Sequence, residues 1–217
     1  MQVEERLCEI YETLDEYFGE LHWWPGETPF EIAVGAILTQ NTSWKNVEIA
    51  IAKLKKADLL DPLRLYTAED SIVAGLIRSS GYYNIKTKRL KAFLRFLQEE
   101  YAGNMEEMFR EEMWTLRERL LDISGIGEET ADSILLYSGG KPIFVVDAYT
   151  RRILERHDII SWDQGYKEIQ ALFMDNLPQD TSLYNQYHAL LVNTGKSFCR
   201  KKAPTCRGCP LETGKPL

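Results

Sequence analysis

The sequence predicts an all-α fold. Apolar residues recur every three or four positions along most of the chain, which is the spacing of helices that bury one face. One segment, PIFVV at 142–146, has the composition of a β-strand, but five residues without a pairing partner cannot form a sheet. About ten helices are therefore expected, separated by polar breaks and glycines.

The predicted helices follow one another with short breaks. The first, at 3–18, is amphipathic, whereas the second begins at Phe30, is apolar on nearly every side and should be the most buried. Gly81, which follows two serines, is expected to end a helix. The other helices are expected at 46–57, 68–81, 85–101, 113–123, 129–140, after Val146, at 166–178 and at 183–196.

Composition limits the location and the partners. The chain has 217 residues, of which 44% are hydrophobic and 27% are charged, which is ordinary for a globular protein. No apolar run reaches the roughly 18 residues that span a bilayer, and the acidic start lacks the basic flank of a signal peptide. We therefore expect a cytoplasmic protein that does not insert into a membrane.

The net charge of −7 argues against a nucleic-acid binder, although only the charge near a contact helps to bind phosphates. Two segments are locally basic. The first contains Arg78, Lys86, Lys88, Arg89 and Lys91, and the second contains Lys196, Arg200, Lys201, Lys202 and Arg207. On charge alone, both segments are expected to be solvated faces.

The most specific segment is LLDISGIGEETADSILLY at 120–137. One helix is expected to end near Asp122 and another to begin near Glu128. Ile123 and Ile126 would anchor the tight turn between them in the core.

Two glycines in this turn, Gly125 and Gly127, permit a positive φ or a close backbone approach. Free N–H groups at the start of the following helix could then bind a phosphate oxygen. A lone Gly-x-Gly would suit a helix corner without a ligand equally well. Here the pattern is longer, because two polar residues, Thr130-Ala131 and an apolar run follow it.

This longer pattern resembles the hairpin of the endonuclease III family, which are helix-hairpin-helix DNA glycosylases. The resemblance extends over nearly the whole chain. It implies that the hairpin contacts DNA through Gly125, Ile126, Gly127 and Thr130.

The resemblance also implies a two-lobed, all-α, endonuclease III-like fold. A six-helix lobe would span 23–133 and end in the hairpin, and a second lobe would combine 1–22 with 134–217. Duplex DNA would lie across the cleft between the lobes.

Asp147 follows the apolar run IFVV, where an aspartate can cap the next helix. In the family, the Val-Asp step at this place carries the catalytic aspartate, so the resemblance implies that Asp147 is catalytic. Breaking an N-glycosidic bond builds positive charge on the sugar. A fixed carboxylate stabilises that charge and can orient or deprotonate water, more strongly in apolar surroundings.

Glu129 stands where the bifunctional members of the family have a lysine, two residues after the second hairpin glycine. That lysine forms the Schiff base that allows strand cleavage. A carboxylate cannot form an imine, so we expect a monofunctional glycosylase with weak or absent lyase activity. Lys141 stays open as an alternative amine.

Three stretches resemble the 3-methyladenine DNA glycosylase branch of the superfamily: HWWP at 22–25, LTQNTSW at 38–44 and SGYYN at 80–84. That branch also has a glutamate at the position of Glu129. The adenine-mismatch branch carries a catalytic glutamate near the position of Gly35, and its absence from this chain argues against that activity.

The branch resemblance implies a base pocket formed by Trp23, Trp24, Trp44 and Glu129. Aromatic rings hold a flipped base by stacking, and they favour a cationic alkylated purine through cation–π attraction. The match of Trp44 in the branch is a phenylalanine. Each tryptophan could instead be a core or surface anchor. The resemblance further implies that Gln40 fills the gap that the flipped base leaves.

Three cysteines, Cys199, Cys206 and Cys209, match the first three ligands of the 4Fe-4S loop in endonuclease III. The fourth family cysteine would stand near Lys215, so the fourth ligand of a cluster is not identified. The resemblance implies a 4Fe-4S cluster here, whose fourth ligand could be a non-cysteine residue or Cys8, whereas a zinc site and an empty loop stay open. A cluster would hold the neighbouring basic residues rigid for phosphate contacts.

The resemblance therefore implies a base-excision-repair DNA N-glycosylase that acts as a monomer on duplex DNA containing damaged bases. Alkylated purines are the first expected substrates, and oxidised pyrimidines are the second. A non-catalytic helix-hairpin-helix DNA-binding protein is the alternative from another class. An iron–sulfur or zinc protein that does not bind DNA is disfavoured by the hairpin.

Overall fold

The computed structural model describes residues 3–21 and 23–212, and within these ranges the chain is helical and contains no β-strand. The all-α prediction is confirmed. The chain divides into two compact units. The terminal unit comprises Met1–Trp24 and Pro142–Leu217, and the central unit comprises Pro25–Lys141.

The central unit is built around a helix that is buried on nearly all sides. Phe30 and every residue from Ala33 to Leu38 are buried in this helix, as its apolar sequence predicts. The α-helices of the unit are α2 (Pro29–Thr39), α3 (Trp44–Lys56), α4 (Pro62–Thr67), α5 (Asp70–Leu76), α6 (Tyr83–Tyr101), α7 (Met105–Phe109), α8 (Met113–Leu121) and α9 (Glu128–Ser133). Helix α2 packs against α3, α6 and α9.

Two short helices of this unit were not expected from the sequence, because one turn or two are too short to show a periodic pattern. Both begin at side-chain caps. Asp61 accepts hydrogen bonds from the first backbone N–H groups of α4, and Asn104 does the same for α7. The predicted helix end at Gly81 is confirmed, since a 3₁₀ turn at Arg78–Ser80 stops there and Gly81 has a φ of 69°.

The terminal unit contains α1 (Val3–Phe18), α10 (Ala148–Arg156), α11 (Tyr166–Met174) and α12 (Thr181–Ser197). Helix α12 packs against α1 and α10. The segment at 142–146 has no regular secondary structure, and its residues 143–146 are buried. The ring of Phe144 stacks on that of Phe173 with 3.7 Å between centroids. This segment leads into α10 and so fixes where that helix begins.

The unit boundary falls after Lys141, whereas the sequence placed it after residue 133. Helix α9 continues as a π-helical turn at Ile134–Ser138, and this turn packs on α2 of the central unit. The residues after 133 therefore extend the hairpin helix within the same unit.

The sequence predicted that the first basic segment is a solvated face. This prediction was wrong for two of its lysines, Lys86 and Lys91. Lys86 is 1% exposed, and its ammonium donates to the carbonyl of Leu38 at 2.7 Å, in the last turn of α2. Lys91 donates to three carbonyls, including that of Leu65, at the end of α4. Both ammonium groups thus satisfy carbonyls at helix C-termini, where positive charge is favoured. Burial, and then the charge of Arg89, lowers the pKa of Lys86 to about 8.

Candidate active site and DNA interface

Asp147 is the N-cap of α10, as its position after the apolar run predicts. Its Oδ1 accepts hydrogen bonds from the backbone N–H groups of Tyr149 at 2.9 Å and Thr150 at 2.7 Å. The side chain is 11% exposed. One carboxylate oxygen is therefore committed to the helix, and the other is left for a different partner.

The second oxygen of Asp147 faces a histidine of α12. Its Oδ2 lies 3.6 Å from Nε2 of His188, which is 4% exposed. Burial alone would raise the pKa of Asp147. The charge of His188 and the hydrogen bond from the backbone N–H of Thr150 outweigh burial and hold the pKa of this carboxyl below its ordinary value. Asp147 is thus a carboxylate at neutral pH although only 11% of its side chain is exposed.

Close packing of α10 on α12 brings these two side chains together. Gly195 lies against the ring of Tyr149, and a Cβ at this glycine would collide with that ring. The Arg152 guanidinium covers the same ring at 5.0 Å from its centroid and reaches towards the carbonyl of Gly195 at 3.4 Å. The absence of a side chain at one position of α12 therefore sets the separation of the two helices.

Lys196 and Trp23 extend this cluster within the terminal unit. The ammonium of Lys196 lies 5.1 Å from the centroid of the Trp23 ring, which is a cation–π distance. Partial burial lowers the pKa of Lys196, and the charge of Asp147 opposes this shift. Trp23 and Trp24 are half-buried and pack edge to face at 6.1 Å between centroids. His22, which precedes them, lies outside the described residues.

The hairpin lies in the central unit, with the predicted helix boundaries on both sides. Helix α8 ends at Leu121, and α9 begins at Glu128. Ile123 and Ile126 are buried at 8% and 4% exposure, so the two predicted anchors are confirmed.

The two hairpin glycines differ. Gly125 has a φ of 89°, and a Cβ there would collide with the side chain of Arg89. Gly127 is the N-cap of α9 with an ordinary φ of −100°, and a Cβ there would meet no described atom within 4 Å. The first glycine is therefore required by the fold, whereas the second leaves open space beside the start of α9.

Gln40 is bonded to the hairpin through one end of its amide and to helix α6 through the other. Its Nε2 donates to the carbonyl of Gly125 at 3.0 Å and to Oγ1 of Thr130 at 2.9 Å. Arg89 donates to its Oε1. The structure thus brings together three of the residues that the sequence assigned to DNA binding. Arg89, which the sequence placed only in a basic segment, is missing from that assignment because no short motif links it to the hairpin.

Trp44 and Glu129 belong to the central unit. Trp44 is half-buried at the start of α3 and donates from Nε1 to Glu48 at 3.0 Å. Glu129 is exposed in the first turn of α9. Lys141, the alternative amine, donates to the backbone carbonyl of Glu111 at 2.9 Å.

The three loop cysteines are unequal in environment. Cys199 is buried, Cys209 is half-buried and Cys206 is exposed. Burial raises the pKa of the Cys209 thiol, and the charges of the other two thiols raise it further. Among the described residues, no three histidine, cysteine or carboxylate side chains are grouped so that they could hold a metal ion. Lys215, at the expected fourth position, lies outside the described residues.

Two arginines of α10 hold the cysteine loop instead. Arg152 donates from Nε to the carbonyl of Cys199 at 2.7 Å. Arg156 donates to Sγ of Cys199 at 3.2 Å and to the carbonyl of Arg200 at 2.8 Å. Five basic residues of this region, Lys196, Arg200, Lys201, Lys202 and Arg207, are exposed, as the sequence predicts for the second basic segment.

In the part of the chain that the structure describes, no helix is both long and apolar enough to cross a bilayer.

Comparisons with known proteins agree on one family. A protein of Methanocaldococcus jannaschii with the provisional name DNA repair glycosylase is 50% identical over 210 residues, which cover 96% of this chain and 94% of that protein. Endonuclease III of Thermotoga maritima is 28% identical over 186 residues, which cover 85% of this chain and 81% of that protein.

Solved structures share the fold. The 3-methyladenine DNA glycosylase of H. pylori, bound to 1,N6-ethenoadenine, is 29% identical with a TM-score of 0.77 and covers 90% of this chain and 98% of its own. A non-covalent endonuclease III–DNA complex is 20% identical with a TM-score of 0.83, covering 97% of this chain and 94% of its own, and it shows that the fold is that of endonuclease III. The model of the HhH-GPD superfamily base excision DNA repair proteins matches residues 34–179, so the chain belongs to this superfamily.

Proposed function

We propose that this chain is a monofunctional DNA N-glycosylase that removes alkylated purines from duplex DNA by hydrolysis, with Asp147 as the catalytic carboxylate. The observation that carries the proposal is the state of Asp147: a buried carboxylate that stays ionised, with one oxygen fixed by α10 and the other free of that task.

Asp147 is suited to stabilise positive charge more than to act as a strong base. As the glycosidic bond breaks, the sugar becomes oxocarbenium-like, and a fixed negative charge in a site of low polarity lowers the energy of that state. Because its pKa is lowered, the carboxylate is a weak base. It would orient the attacking water and take the proton as the water bonds to the electron-poor carbon.

The hairpin backbone would bind the DNA, and Gln40 would fill the gap that the flipped base leaves in the duplex. The open space at Gly127 leaves the N–H groups of the first turn of α9 accessible to a phosphate oxygen. The bonds from Gln40 to Gly125 and Thr130 keep its amide beside that phosphate site. We propose that one protein monomer binds one damaged duplex in this way.

The proposed base pocket consists of Trp23, Trp24, Trp44 and Glu129. Stacking between aromatic rings suits any flat base, and alkylated purines fit best because a cationic base gains cation–π attraction. The similarity to a 3-methyladenine DNA glycosylase crystallised with 1,N6-ethenoadenine supports the same substrate class. Oxidised pyrimidines are the second candidate, supported by the 28% identity to an endonuclease III.

A panel of duplexes tests the substrate class. Each would carry one lesion, such as 3-methyladenine, 1,N6-ethenoadenine or an oxidised pyrimidine, and the released base would be measured by chromatography. We expect release of alkylated or etheno purines at rates well above those for oxidised pyrimidines. Preferential release of oxidised pyrimidines would overturn the purine assignment but not the glycosylase assignment.

Borohydride trapping tests the monofunctional assignment. Glu129 cannot form an imine, and the amine of Lys141 is engaged by a backbone carbonyl. Incubation with damaged duplex and borohydride should therefore leave no covalent protein–DNA adduct. An adduct would contradict hydrolysis as the only reaction, and its loss in Lys141→Gln or Lys196→Gln would identify the amine.

A 4Fe-4S cluster does not fit the described donor set. Such a cluster takes four protein ligands. The described cysteines are Cys8, Cys199, Cys206 and Cys209, and no three of them are grouped as a metal site. No step above passes through iron. We propose that Arg152 and Arg156 hold the loop, so that purified protein should contain less than one cluster equivalent of iron and sulfide. Four irons per chain would overturn this part of the proposal.

A further inference from the structure

His188 is a buried side chain to which the sequence assigned no role and which faces the proposed catalytic carboxylate. It lies in the middle of α12 and is 4% exposed. Its Nε2 is 3.6 Å from Oδ2 of Asp147, the oxygen that does not cap α10.

The carboxylate of Asp147 needs a second contact to stay in one orientation. The terminal torsion of an aspartate side chain is broad, so the two bonds to Oδ1 leave the direction of Oδ2 only partly fixed. The imidazole of His188 stands beside that oxygen on a helix whose distance from α10 is set by Gly195. A rigid element therefore supplies the missing contact.

Among the described contacts of Asp147, the charged and titratable groups all lie on α12. They are His188, through the contact above, and Lys196, whose pKa is affected by the Asp147 charge. On its own helix, Asp147 meets backbone N–H groups and the side chain of Thr150, which carry no formal charge. Of the two α12 groups, only His188 is in contact distance of the carboxylate.

We propose that His188 is a positioning residue for base excision: its imidazole aims Oδ2 of Asp147 at the sugar and favours the ionised carboxylate. This role rests on the proposed function of Asp147. It predicts a defect in the chemical step without a defect in DNA binding, because His188 is buried and belongs to the terminal unit, whereas the hairpin belongs to the central unit.

Two variants separate a positioning role from a structural one. His188→Leu removes the polar contact, and we expect its single-turnover rate of base release to fall by about 10- to 100-fold, by analogy with side chains that orient metal ligands. His188→Gln keeps an N–H donor on a side chain of similar reach, so it should recover most of the rate. The affinity for damaged duplex should be unchanged in both. His157→Leu, at the far end of α10, is the matched control and should release base at the wild-type rate.

The titration of Asp147 gives a readout that does not depend on activity. The ¹³C carboxyl signal of Asp147, followed by NMR against pH, should show a higher pKa in His188→Leu than in wild type, because a favourable partner of the charged form is lost. The acidic limb of the pH–rate profile should move in the same direction.

The outcomes distinguish this proposal from the one on which it rests. A folded His188→Leu variant with the wild-type rate and the wild-type titration would overturn the role of His188 alone. Equal losses of rate in both His188 variants, with loss of thermal stability, would make the residue structural and also overturn it. A wild-type protein that releases no base from any duplex would overturn the proposed function itself.

Discussion

The two carboxylate oxygens of Asp147 have different contacts. Oδ1 caps α10, and Oδ2 faces His188 and is the oxygen that the proposed reaction assigns to the sugar. The sequence could identify Asp147 on two grounds. An aspartate that follows an apolar segment is a common first residue of a helix. The family resemblance then implies its catalytic role. His188 could not be found in this way. It lies far along the chain, and only the packing of α12 on α10 brings it to the carboxylate.

The pH dependence of stability tests the ionised state of Asp147. Its pKa in the folded protein lies below the ordinary value of 3.8. The carboxylate therefore stabilises the fold above that value, and this contribution is lost as the pH falls through the lowered pKa. Asp147→Asn keeps the cap, since asparagine caps helices as well as aspartate does, but it cannot ionise.

Urea unfolding of wild type and Asp147→Asn from pH 7 to pH 3 measures this contribution. The free energy of unfolding of wild type minus that of Asp147→Asn should be constant above about pH 5. Below about pH 4 this difference should decrease, because wild type loses stability as Asp147 is protonated. A wild-type advantage that grows on acidification would contradict a lowered pKa.

At the scale of single elements, a buried ion pair connects the two helices of the hairpin. Arg117 of α8 and Asp132 of α9 are 3% and 0% exposed at their side chains, and Nε of the arginine lies 2.6 Å from Oδ1 of the aspartate. A second bond, from Nη2 to Oδ2 at 3.1 Å, makes the pair bidentate. The pair thus fixes the two hairpin helices relative to each other. The sequence did not predict it, because each residue alone resembles an ordinary helix-surface charge.

Removal of one partner of this pair should be strongly destabilising. Arg117→Met leaves the Asp132 carboxylate buried without its partner, which costs about 3–5 kcal/mol. Arg95→Met, on an exposed arginine of α6, is the matched control and should change stability by less than about 0.5 kcal/mol. Chemical denaturation measures both. A loss below about 1 kcal/mol in Arg117→Met would contradict the supporting role.

The hairpin glycines give a prediction at the same scale. Gly125→Ala places a side chain at positive φ and against Arg89, so it should cost about 1–2 kcal/mol of stability. Gly127→Ala has an ordinary φ and free space, so it should cost less than about 1 kcal/mol. Its methyl group would nevertheless stand where a phosphate approaches, and affinity for duplex DNA should fall.

Thermal unfolding and equilibrium binding to a fluorescent duplex separate these effects. The expected pattern is a less stable Gly125→Ala and a normally folded Gly127→Ala that binds DNA more weakly. Wild-type affinity in Gly127→Ala would contradict phosphate binding at the start of α9.

At the scale of the whole molecule, most of the fold could be predicted from the periodic pattern, because long amphipathic segments carry their own signal. The details that depend on contacts between distant segments could not. From the sequence, Lys86 and Lys91 were expected to be surface charges. In the structure, carbonyls at the ends of other helices of the central unit accept hydrogen bonds from both ammonium groups. The π-helical turn at Ile134–Ser138, which moves the unit boundary to Lys141, is likewise set by packing on α2.

The acidic chain should bind DNA through a local basic surface. Lys201 and Lys202 are exposed in the loop held by Arg156. The double variant Lys201→Glu, Lys202→Glu should bind every duplex more weakly, with or without a lesion. The slope of log affinity against log salt should become shallower by about 0.9 for each lysine that contacts a phosphate.

The control for this prediction has the same net charge. Lys53→Glu, Lys56→Glu reverses two exposed lysines of α3 and should leave the salt slope of binding unchanged. Equal weakening in the two double variants would show that total charge, and not the loop, determines affinity.

The most direct measurement of the central claim is base release by Asp147→Asn. Wild type and variant would be compared in single-turnover reactions on the duplex that wild type processes best, with binding measured on the same duplex. A carboxylate that stabilises the oxocarbenium-like sugar predicts unchanged binding and a rate of release lower by about 10³-fold or more. A variant that binds and still releases base at close to the wild-type rate would contradict the account.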